Sequence, residues 1–311
     1  MHKIVMCACC EFGQEIAEYL LQQNIHITRI VSLTSDMAQK NKVSGYTSYE
    51  NFAAKHNIPI YYPKSYALKN EVDYSFFQEN AFDLLILGGW QRLIPEKILK
   101  TLGIGGIGVH GSSEFLPKGR GRSPINWSLI EGKQRFIMHT FLMKAGADNG
   151  DIINFKFFDI NKWDTCQTLY YKYSIVVKKM LVADIPKLLQ GQYKLTPQIG
   201  EATYYPKRTP EDGLIDWSRT VFEIYNFIRA LTKPYPGAFS YYNDNKVFLW
   251  KAQPFDTQIS YYGAQIGEVV EVFPSGEFVI NCNSGLLLVT SADITPEVGY
   301  LFKSAPIQNE A

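Results

Sequence analysis

A histidine and a distant aspartate are the residues of this chain whose types and setting suit proton-transfer chemistry. His110 ends an apolar run and is followed by a loop rich in proline, glycine and arginine, at residues 117–124. Asp148 comes later, in a turn that contains Gly150. A carboxylate beside a histidine stabilises the imidazolium and orients the ring. The pair therefore predicts general acid/base chemistry on a substrate bound in a cleft.

Alternating strand and helix signals in the first half of the chain indicate how this pair is positioned. Apolar runs predict strands at residues 3–8, 27–33, 58–62, 82–87 and 103–109, and helical spacing predicts helices at residues 11–22, 51–56 and 95–102. Short connections between alternating elements predict a mostly parallel sheet. Ligands of such sheets bind outside the carboxyl ends of the strands. Gly88 and His110 lie at two of those predicted ends.

The second half of the chain has a different pattern. A long helix is predicted at residues 164–189, and residues 191–210, rich in Gly, Pro, Thr and Tyr, are predicted to link two domains. After a helix at residues 220–231, short alternating runs with turn signals predict a small antiparallel barrel. We therefore expect an α/β, Rossmann-like catalytic domain at residues 1–200. An OB-like C-terminal domain with a leading helix is expected at residues 201–311.

Composition and charge exclude several classes of function. The chain has 31 Lys and Arg against 30 Asp and Glu, so its net charge of +1 gives no global field for steering toward nucleic acid. No apolar stretch approaches the roughly 20 residues that span a bilayer, and no signal peptide is evident. Five histidines and five cysteines show no ligand spacing, so no metal is expected. A cytoplasmic protein without a membrane partner is the expectation.

Motifs around and beyond the pair extend over nearly the whole chain. Residues 116–127 read Leu-Pro-Lys-Gly-Arg-Gly-Arg-Ser-Pro-Ile-Asn-Trp, and residues 148–150 read Asp-Asn-Gly. Residues 202–212 and 234–241 supply two further motifs downstream. With this set the chain resembles the folate-dependent formyltransferases, which move a one-carbon unit from N10-formyltetrahydrofolate to an amine.

The resemblance implies a mechanism and a set of site residues. The amine attacks the formyl carbon directly, with His110 as general acid/base and Asp148 orienting it. Folate is held mainly by backbone, and the residues implied are Arg92, Leu93, Ile94, Lys144, Ala145, Gly146 and Ala147, with Arg122 as a further contact. Substrate contacts are expected at Ser112, Asn126, Arg229 and Tyr235. From the sequence alone, residues 144–147 read equally well as an ordinary turn between strands.

Two branches of the family share this layout, and the sequence favours one of them. Trp127 and residues 234–241 resemble the corresponding segments of the enzymes that formylate amino sugars on nucleotide carriers more than those of the enzymes that formylate methionyl-tRNA. The segment after the second strand, residues 34–45, holds two lysines and one aspartate. This is too few positive charges to bind the phosphates of tRNA. We expect a nucleotide-linked 4-amino-4,6-dideoxy sugar as acceptor, on UDP or dTDP. A methionyl-tRNA formyltransferase is the alternative, and a homodimer is left open.

One departure from the family pattern concerns the oxyanion. The family asparagine two residues before the histidine is Gly108 here, and such a donor contributes about 10²–10³-fold in rate. Three accounts compete. Ser112, Ser113 or a backbone N–H replaces it; Asn126 or Asn149 does; or the chain is a non-catalytic homologue that binds folate or sugar nucleotide. We expect an active enzyme with a rearranged oxyanion hole, because His110 and Asp148 are both present.

Two further polar residues near the pair receive structural assignments. His139 could line the cleft, but the expectation is a strand histidine whose ring is satisfied by a neighbour. Asp151 is expected in a turn or at the start of a strand rather than as a second catalytic acid.

Overall fold

The first strands of the chain are apolar and buried on both faces, as in a parallel sheet covered by helices. The computed structural model describes residues 2–243 and 245–304. In chain order its first strands are β1 (Ile4–Ala8), β2 (Arg29–Val31), β3 (Ile60–Tyr61), β4 (Leu84–Gly88), β5 (Gly105–Ser112), β6 (Arg120–Gly121), β7 (Arg135–Met143), β8 (Gly150–Asp159) and β9 (Tyr204–Tyr205).

Seven of these strands form one sheet, in the order β3-β2-β1-β4-β5-β7-β8. β1 runs parallel to β2 and to β4, β2 parallel to β3, and β4 parallel to β5. β7 is antiparallel to β5. The predicted mostly parallel α/β sheet is therefore confirmed. β6 and β9 form a separate two-stranded pair.

The helices include three that the sequence patterns did not reveal. In chain order they are α1 (Glu11–Gln22), α2 (Ser35–Lys40), α3 (Glu50–His56), α4 (Glu71–Asn80), α5 (Glu96–Leu99), α6 (Pro124–Ile130), α7 (Cys166–Leu189) and α8 (Val221–Leu231). α2, α4 and α6 were missed. In α4 the cause is clear, because one of its buried residues is Asp73, which accepts hydrogen bonds from the Tyr61 hydroxyl and two backbone N–H groups. A buried carboxylate breaks the apolar periodicity on which helix prediction depends.

β5 is longer than predicted, and this changes the position of His110. The strand continues through Ser112, so that His110 lies within it rather than at its end. The reason is the antiparallel partner: His110 is in register with His139, and Ser112 with Ile137, on β7. A pairing with a strand that comes later in the chain leaves no local signature in the residues after His110.

The C-terminal strands form a second sheet. They are β10 (Ala238–Tyr242), β11 (Asn245–Asp256), β12 (Val269–Val272), β13 (Phe278–Cys282) and β14 (Gly285–Ala292), in the order β10-β11-β14-β13-β12. All four neighbouring pairs are antiparallel, as predicted. β11 is longer than expected and shows register shifts against β14. In the core beside this sheet, the rings of Trp217 and Phe278 each stack on the ring of Phe302.

The chain divides into two compact units. The first comprises Met1–Gly121, Ile137–Phe157 and Lys172–Tyr204, and the second comprises Arg122–Phe136, Phe158–Tyr171 and Tyr205–Ala311. Residues 1, 244 and 305–311 within these bounds lie outside the described part. Two segments before residue 200 thus group with the C-terminal sheet. Whether the chain folds as domains 1–200 and 201–311 remains a prediction. Over the described residues, no helix combines the length and apolar character needed to cross a membrane.

Candidate active site

His110 and Asp148 lie side by side in the first unit. The ring nitrogen Nδ1 is 3.3 Å from Asp148 Oδ1, and the His110 side chain is 7% exposed. The other ring nitrogen, Nε2, lies 2.8 Å from the carbonyl oxygen of Gly119. Carbonyl and carboxylate oxygens only accept hydrogen bonds, so both contacts are complete only when both ring nitrogens carry hydrogen. The arrangement as it stands suits an imidazolium ring that can donate a proton.

Gly119 reaches His110 because the residue has no side chain. Its φ is 70°, and an added Cβ would lie 2.4 Å from Ser112 Oγ, which is too close for any L residue without rearrangement. The glycine in the loop after β5 is thus required for the contact that holds Nε2. Sequence reasoning identified this loop by composition but not the role of its carbonyl.

Asp148 is held in an uncommon backbone conformation. Its φ is 49°, in the left-handed region that costs a non-glycine residue about 1–2 kcal/mol. The carboxylate oxygen Oδ2 accepts a hydrogen bond from the backbone N–H of Gly121 at 3.0 Å. A strained backbone conformation of this kind is kept only where several surrounding contacts hold the residue in place.

Those surrounding contacts come from Arg120 and Gln198. The Gln198 amide donates to the carbonyl oxygens of Asp148 at 3.0 Å and of Gly150 at 2.7 Å. Its own oxygen accepts from the Arg120 guanidinium, which also donates to Asn149 Oδ1. Arg120 is 8% exposed, and its terminal N–H groups donate to Tyr204, Asn149 and Gln198, whereas its buried Nε has no partner among the described residues. Gln198 was missed because it lies in the segment read as a linker, where a lone glutamine carries no signal.

The space beside Gly108 is filled by the side chains of β7. A Cβ added at Gly108 would lie 2.7 Å from two ring carbons of Phe141 and 3.0 Å from Cγ of Met143. Phe141 is in register with Gly108 and is buried. The position that holds the family asparagine is therefore occupied here by an aromatic ring, and this chain has no room for that donor.

The alternative oxyanion donors proposed from the sequence have other partners, with one exception. Ser112 is fully buried and its hydroxyl donates to the Glu114 carbonyl at 2.8 Å. The Asn149 amide donates to the Ala145 carbonyl, and the Asn126 amide donates to the Ala230 carbonyl in the second unit. The Ser113 hydroxyl is the exception, since it is buried and has no partner among the described residues.

His139 does not match its expected assignment. Its ring is 0% exposed, and within the described chain neither ring nitrogen has a hydrogen-bond partner. The expectation of a histidine satisfied by a neighbour is wrong, because the adjacent ring of Phe115 offers only an edge contact at 5.0 Å between centroids. Burial, and after it the neighbouring His110, lowers the pKa of His139 to about 4. Asp151, by contrast, lies near the start of β8 as predicted and pairs with Lys144 at 2.8 Å.

Comparison with known proteins identifies the family. The Formyl transferase family matches residues 2–185, and the Formyl transferase C-terminal domain matches residues 207–296. The chain belongs to the formyl transferase family. This confirms the resemblance inferred from the motifs.

Two relatives and one solved structure show how far the similarity extends. The bifunctional polymyxin resistance protein ArnA of Wigglesworthia glossinidia brevipalpis is 31% identical over 295 residues, which is 94% of this chain but 43% of that protein. A methionyl-tRNA formyltransferase of Enterococcus faecalis is 32% identical over 255 residues, or 82% of this chain and 80% of that one. The N-formyltransferase of Helicobacter canadensis, solved with folinic acid and dTDP-3-aminofucose, shares the fold with a TM-score of 0.68 at 18% identity, covering 94% of this chain and all of that one.

The two turns expected to hold folate lie in the first unit and differ in exposure. At the first, Arg92 lies 4.6 Å over the ring of Tyr66, Leu93 is 60% exposed and Ile94 is buried in the core. At the second, Lys144, Ala145 and Gly146 are exposed and Ala147 is partly buried, in the turn that ends at Asp148. Folate contact at these residues remains a prediction.

The remaining predicted contacts belong to the second unit. Arg122 is exposed, and its backbone N–H donates to the Tyr205 carbonyl. Arg229 is buried and donates to the carbonyl oxygens of Asn161 and Asp164, both at 2.8 Å. The Tyr235 hydroxyl lies 2.7 Å from that of Tyr170. These placements give Asn126 and Arg229 structural partners, and their contact with substrate remains a prediction.

Side chains able to bind a metal do not cluster at the site. In the described ranges, no group of three or more His, Cys, Asp or Glu residues is arranged to hold a metal ion. The thiols of Cys9 and Cys10 contact the Gly89 carbonyl, and burial raises the pKa of Cys9 to about 11. These cysteines are protonated at neutral pH and make poor nucleophiles.

Proposed function

We propose that this chain transfers a formyl group from N10-formyltetrahydrofolate to the amine of a nucleotide-linked 4-amino-4,6-dideoxy sugar. The observation that carries the proposal is the buried His110–Asp148 pair, 3.3 Å apart, in a member of the formyl transferase family. A pair of this kind supplies the proton transfers that moving an acyl group between two nitrogens requires.

The reaction needs one proton to be moved and no external oxidant or reductant. The amine lone pair attacks the formyl carbon, and the carbonyl electron pair moves to oxygen to give a tetrahedral oxyanion. When that pair returns, the bond from carbon to N10 breaks and N10 retains its electrons. The attacking nitrogen loses a proton and N10 gains one, so the products are the formamide and tetrahydrofolate.

His110 is the group that handles this proton. Its contacts with Gly119 and Asp148 favour a ring that begins with hydrogen on both nitrogens, so the first role is that of an acid toward N10. The neutral ring then takes the proton from the attacking nitrogen and returns to its starting state. Asp148 stabilises the charged ring and keeps it oriented. Nε2 must leave the Gly119 carbonyl to reach substrate, and we expect the loop of residues 113–119 to move when substrates bind.

The choice of donor and acceptor rests on relatives and on the surface of this chain. The Helicobacter canadensis structure contains folinic acid and dTDP-3-aminofucose, which supports a folate donor and a nucleotide-linked acceptor. We place the folate at residues 92–94 and 144–147 and expect the carrier to be UDP or dTDP. Residues 35–40 form α2, in which the Thr34 side chain caps the helix by accepting from Met37 N–H. This short capped helix presents few cations to an RNA backbone. A cytoplasmic location and a homodimer remain predictions.

Transfer to methionyl-tRNA is the second candidate function. The Enterococcus faecalis relative, named a methionyl-tRNA formyltransferase, is as similar to this chain as the ArnA relative. A third reading, a homologue that binds without turnover, is favoured by the ring of Phe141 in the place of the family asparagine.

An acceptor panel distinguishes the three. The protein is incubated with N10-formyltetrahydrofolate and UDP- or dTDP-linked 4-amino sugars, or with methionyl-tRNA, and kcat/KM is measured from tetrahydrofolate formation. We expect a sugar nucleotide to be the best acceptor and His110→Ala to abolish the rate. A preference for methionyl-tRNA that weakens steeply with salt would establish the second candidate. Folate binding without turnover on any acceptor would establish the third.

A further inference from the structure

The face of β5 that carries His110 meets a second histidine. His139 is directly opposite His110 in the antiparallel pair of β5 and β7. Opposite residues of such a pair project from the same face of the sheet, with Cβ atoms about 4.5–5.5 Å apart. His139 is therefore an immediate neighbour of the predicted catalytic ring, and two residues along the strand from Phe141, which fills the space beside Gly108.

The ring of His139 is an unsatisfied donor. It is 0% exposed, and both its nitrogens lack a hydrogen-bond partner in the part of the chain that the structure describes. Buried polar groups in native proteins are nearly always paired, and an exception calls for an explanation such as a catalytic role. With its pKa lowered to about 4 by burial and by His110, the ring is neutral near pH 7 and carries one N–H.

Because Gly108 replaces the family asparagine, another group must donate the hydrogen bond to the oxyanion. Phe141 excludes a side chain at position 108, and Ser112 and Asn149 donate elsewhere. The Ser113 hydroxyl also has no partner among the described residues, but it lies beyond the end of β5 and is the competing donor. His139 remains as an unpartnered N–H donor on the face of His110. A neutral imidazole is suited to this task, because it donates a hydrogen bond to a developing oxyanion without losing a proton.

We propose that His139 is a catalytic residue whose imidazole N–H donates a hydrogen bond to the formyl oxygen as it becomes an oxyanion. The proposal rests on the formyl transfer argued above. The N–H strengthens its hydrogen bond while the carbonyl pair resides on oxygen and weakens it when the pair returns. No proton leaves His139, and His110 alone moves the proton between the two nitrogens.

Phe115 is the residue that must give way. Its ring meets the edge of His139 and is 45% exposed, in the segment that follows β5. Rotation of this half-exposed ring would remove the edge contact that covers His139, and Phe115 belongs to the same loop as Gly119, whose carbonyl contacts His110 Nε2. The movement of residues 113–119 that frees His110 would thus expose both histidines to the substrates.

Two substitutions at position 139 separate catalysis from packing. His139→Leu removes the donor at similar volume and also removes an unsatisfied buried group, so we expect its Tm to be unchanged or raised while kcat falls about 10²–10³-fold. KM for both substrates should stay within about twofold, because the hydrogen bond forms only as charge develops. His139→Gln keeps a neutral N–H donor, and we expect it to retain a kcat at least tenfold above that of the leucine variant.

Ser32→Ala is the matched control, since the Ser32 hydroxyl is also buried and without a partner among the described residues but follows β2, outside the pair of β5 and β7. We expect this variant to keep the kcat of the unchanged protein. Full activity in His139→Leu, or a loss of kcat in Ser113→Ala that exceeds the loss in His139→Leu, overturns the role of His139 and leaves formyl transfer standing. Equal losses in the leucine and glutamine variants together with a lowered Tm show a packing role and also overturn it. Absence of transfer by the unchanged protein, with every acceptor, overturns both proposals.

Discussion

A methyl group added at Gly108 tests the packing that separates this chain from the family pattern. In Gly108→Ala the new Cβ would lie 2.7 Å from two carbons of the Phe141 ring and 3.0 Å from Met143 Cγ. Overpacking of this kind costs about 1–3 kcal/mol. The opposing effect, loss of glycine freedom in the unfolded chain, contributes about 0.4–1 kcal/mol. Gly108 does not have a positive φ, so no further backbone strain enters.

The steric effect is the larger one, and the difference between the two ranges is centred near a net loss of about 1 kcal/mol in Gly108→Ala. For a unit of about 150–250 residues this lowers Tm by about 2–4 °C per kcal/mol. Phe141→Leu removes the ring atoms that the methyl group would meet. The double variant should therefore be more stable than the sum of the single changes by about 0.5–3 kcal/mol.

Thermal unfolding followed by circular dichroism measures the four proteins under one condition. Gly103→Ala is the control, because a Cβ there would approach no atom closer than Asp83 Oδ1 at 3.2 Å, and its Tm should stay within about 2 °C. If Gly108→Ala leaves Tm unchanged, or if the double variant shows no coupling, the ring of Phe141 does not fill the space beside Gly108. The argument for a replaced oxyanion donor would then lose its basis.

Three further predictions concern residues around the pair. Asp148→Asn keeps an acceptor for the Gly121 N–H but loses the charge beside His110, and we expect kcat to fall about 10²–10⁴-fold with Tm little changed, measured by transfer rate and thermal unfolding. Gln198→Ala removes two hydrogen bonds to the turn of Asp148, so unfolding in urea should show a loss of about 1–3 kcal/mol together with a lower kcat. His139 has a folded pKa of about 4, below its unfolded value of about 6.5, so the unfolded chain binds this proton first as the pH falls. With respect to this group, the free energy of unfolding should be constant above pH 6.5 and decrease by up to about 3 kcal/mol as the pH falls toward 4. Tm measured from pH 7 to 4 should consequently fall more steeply for the unchanged protein than for His139→Gln.

The sequence identified those parts of the site that depend on residue type and spacing along the chain. His110 and Asp148 could be predicted as a pair because the family motifs fix both. The strands β1 and β4 could be predicted because each is a continuous apolar run with a glycine or cysteine turn after it. The five strands of the C-terminal sheet were marked by turn residues between alternating runs.

What the sequence could not reveal depends on contacts between distant segments. His139 became an unsatisfied neighbour of His110 only through the register of β5 with β7. Gln198 stabilises the turn of Asp148 from a segment without regular periodicity. Arg120 lies in a basic loop, and its terminal N–H groups donate to Asn149 and Gln198. In each case the partner lies tens of residues away along the chain.

Transfer of an isotopically labelled formyl group tests the central claim most directly. N10-formyltetrahydrofolate carrying carbon-13 in its formyl group is incubated with the protein and a UDP- or dTDP-linked 4-amino sugar, and the products are analysed by mass spectrometry and carbon NMR. We predict one labelled formamide on the sugar for each tetrahydrofolate formed, and at most about a hundredth of that amount with Asp148→Asn over the same time. Tetrahydrofolate that appears without label on the sugar, or label that appears only on methionyl-tRNA in a parallel reaction, would contradict the proposed function.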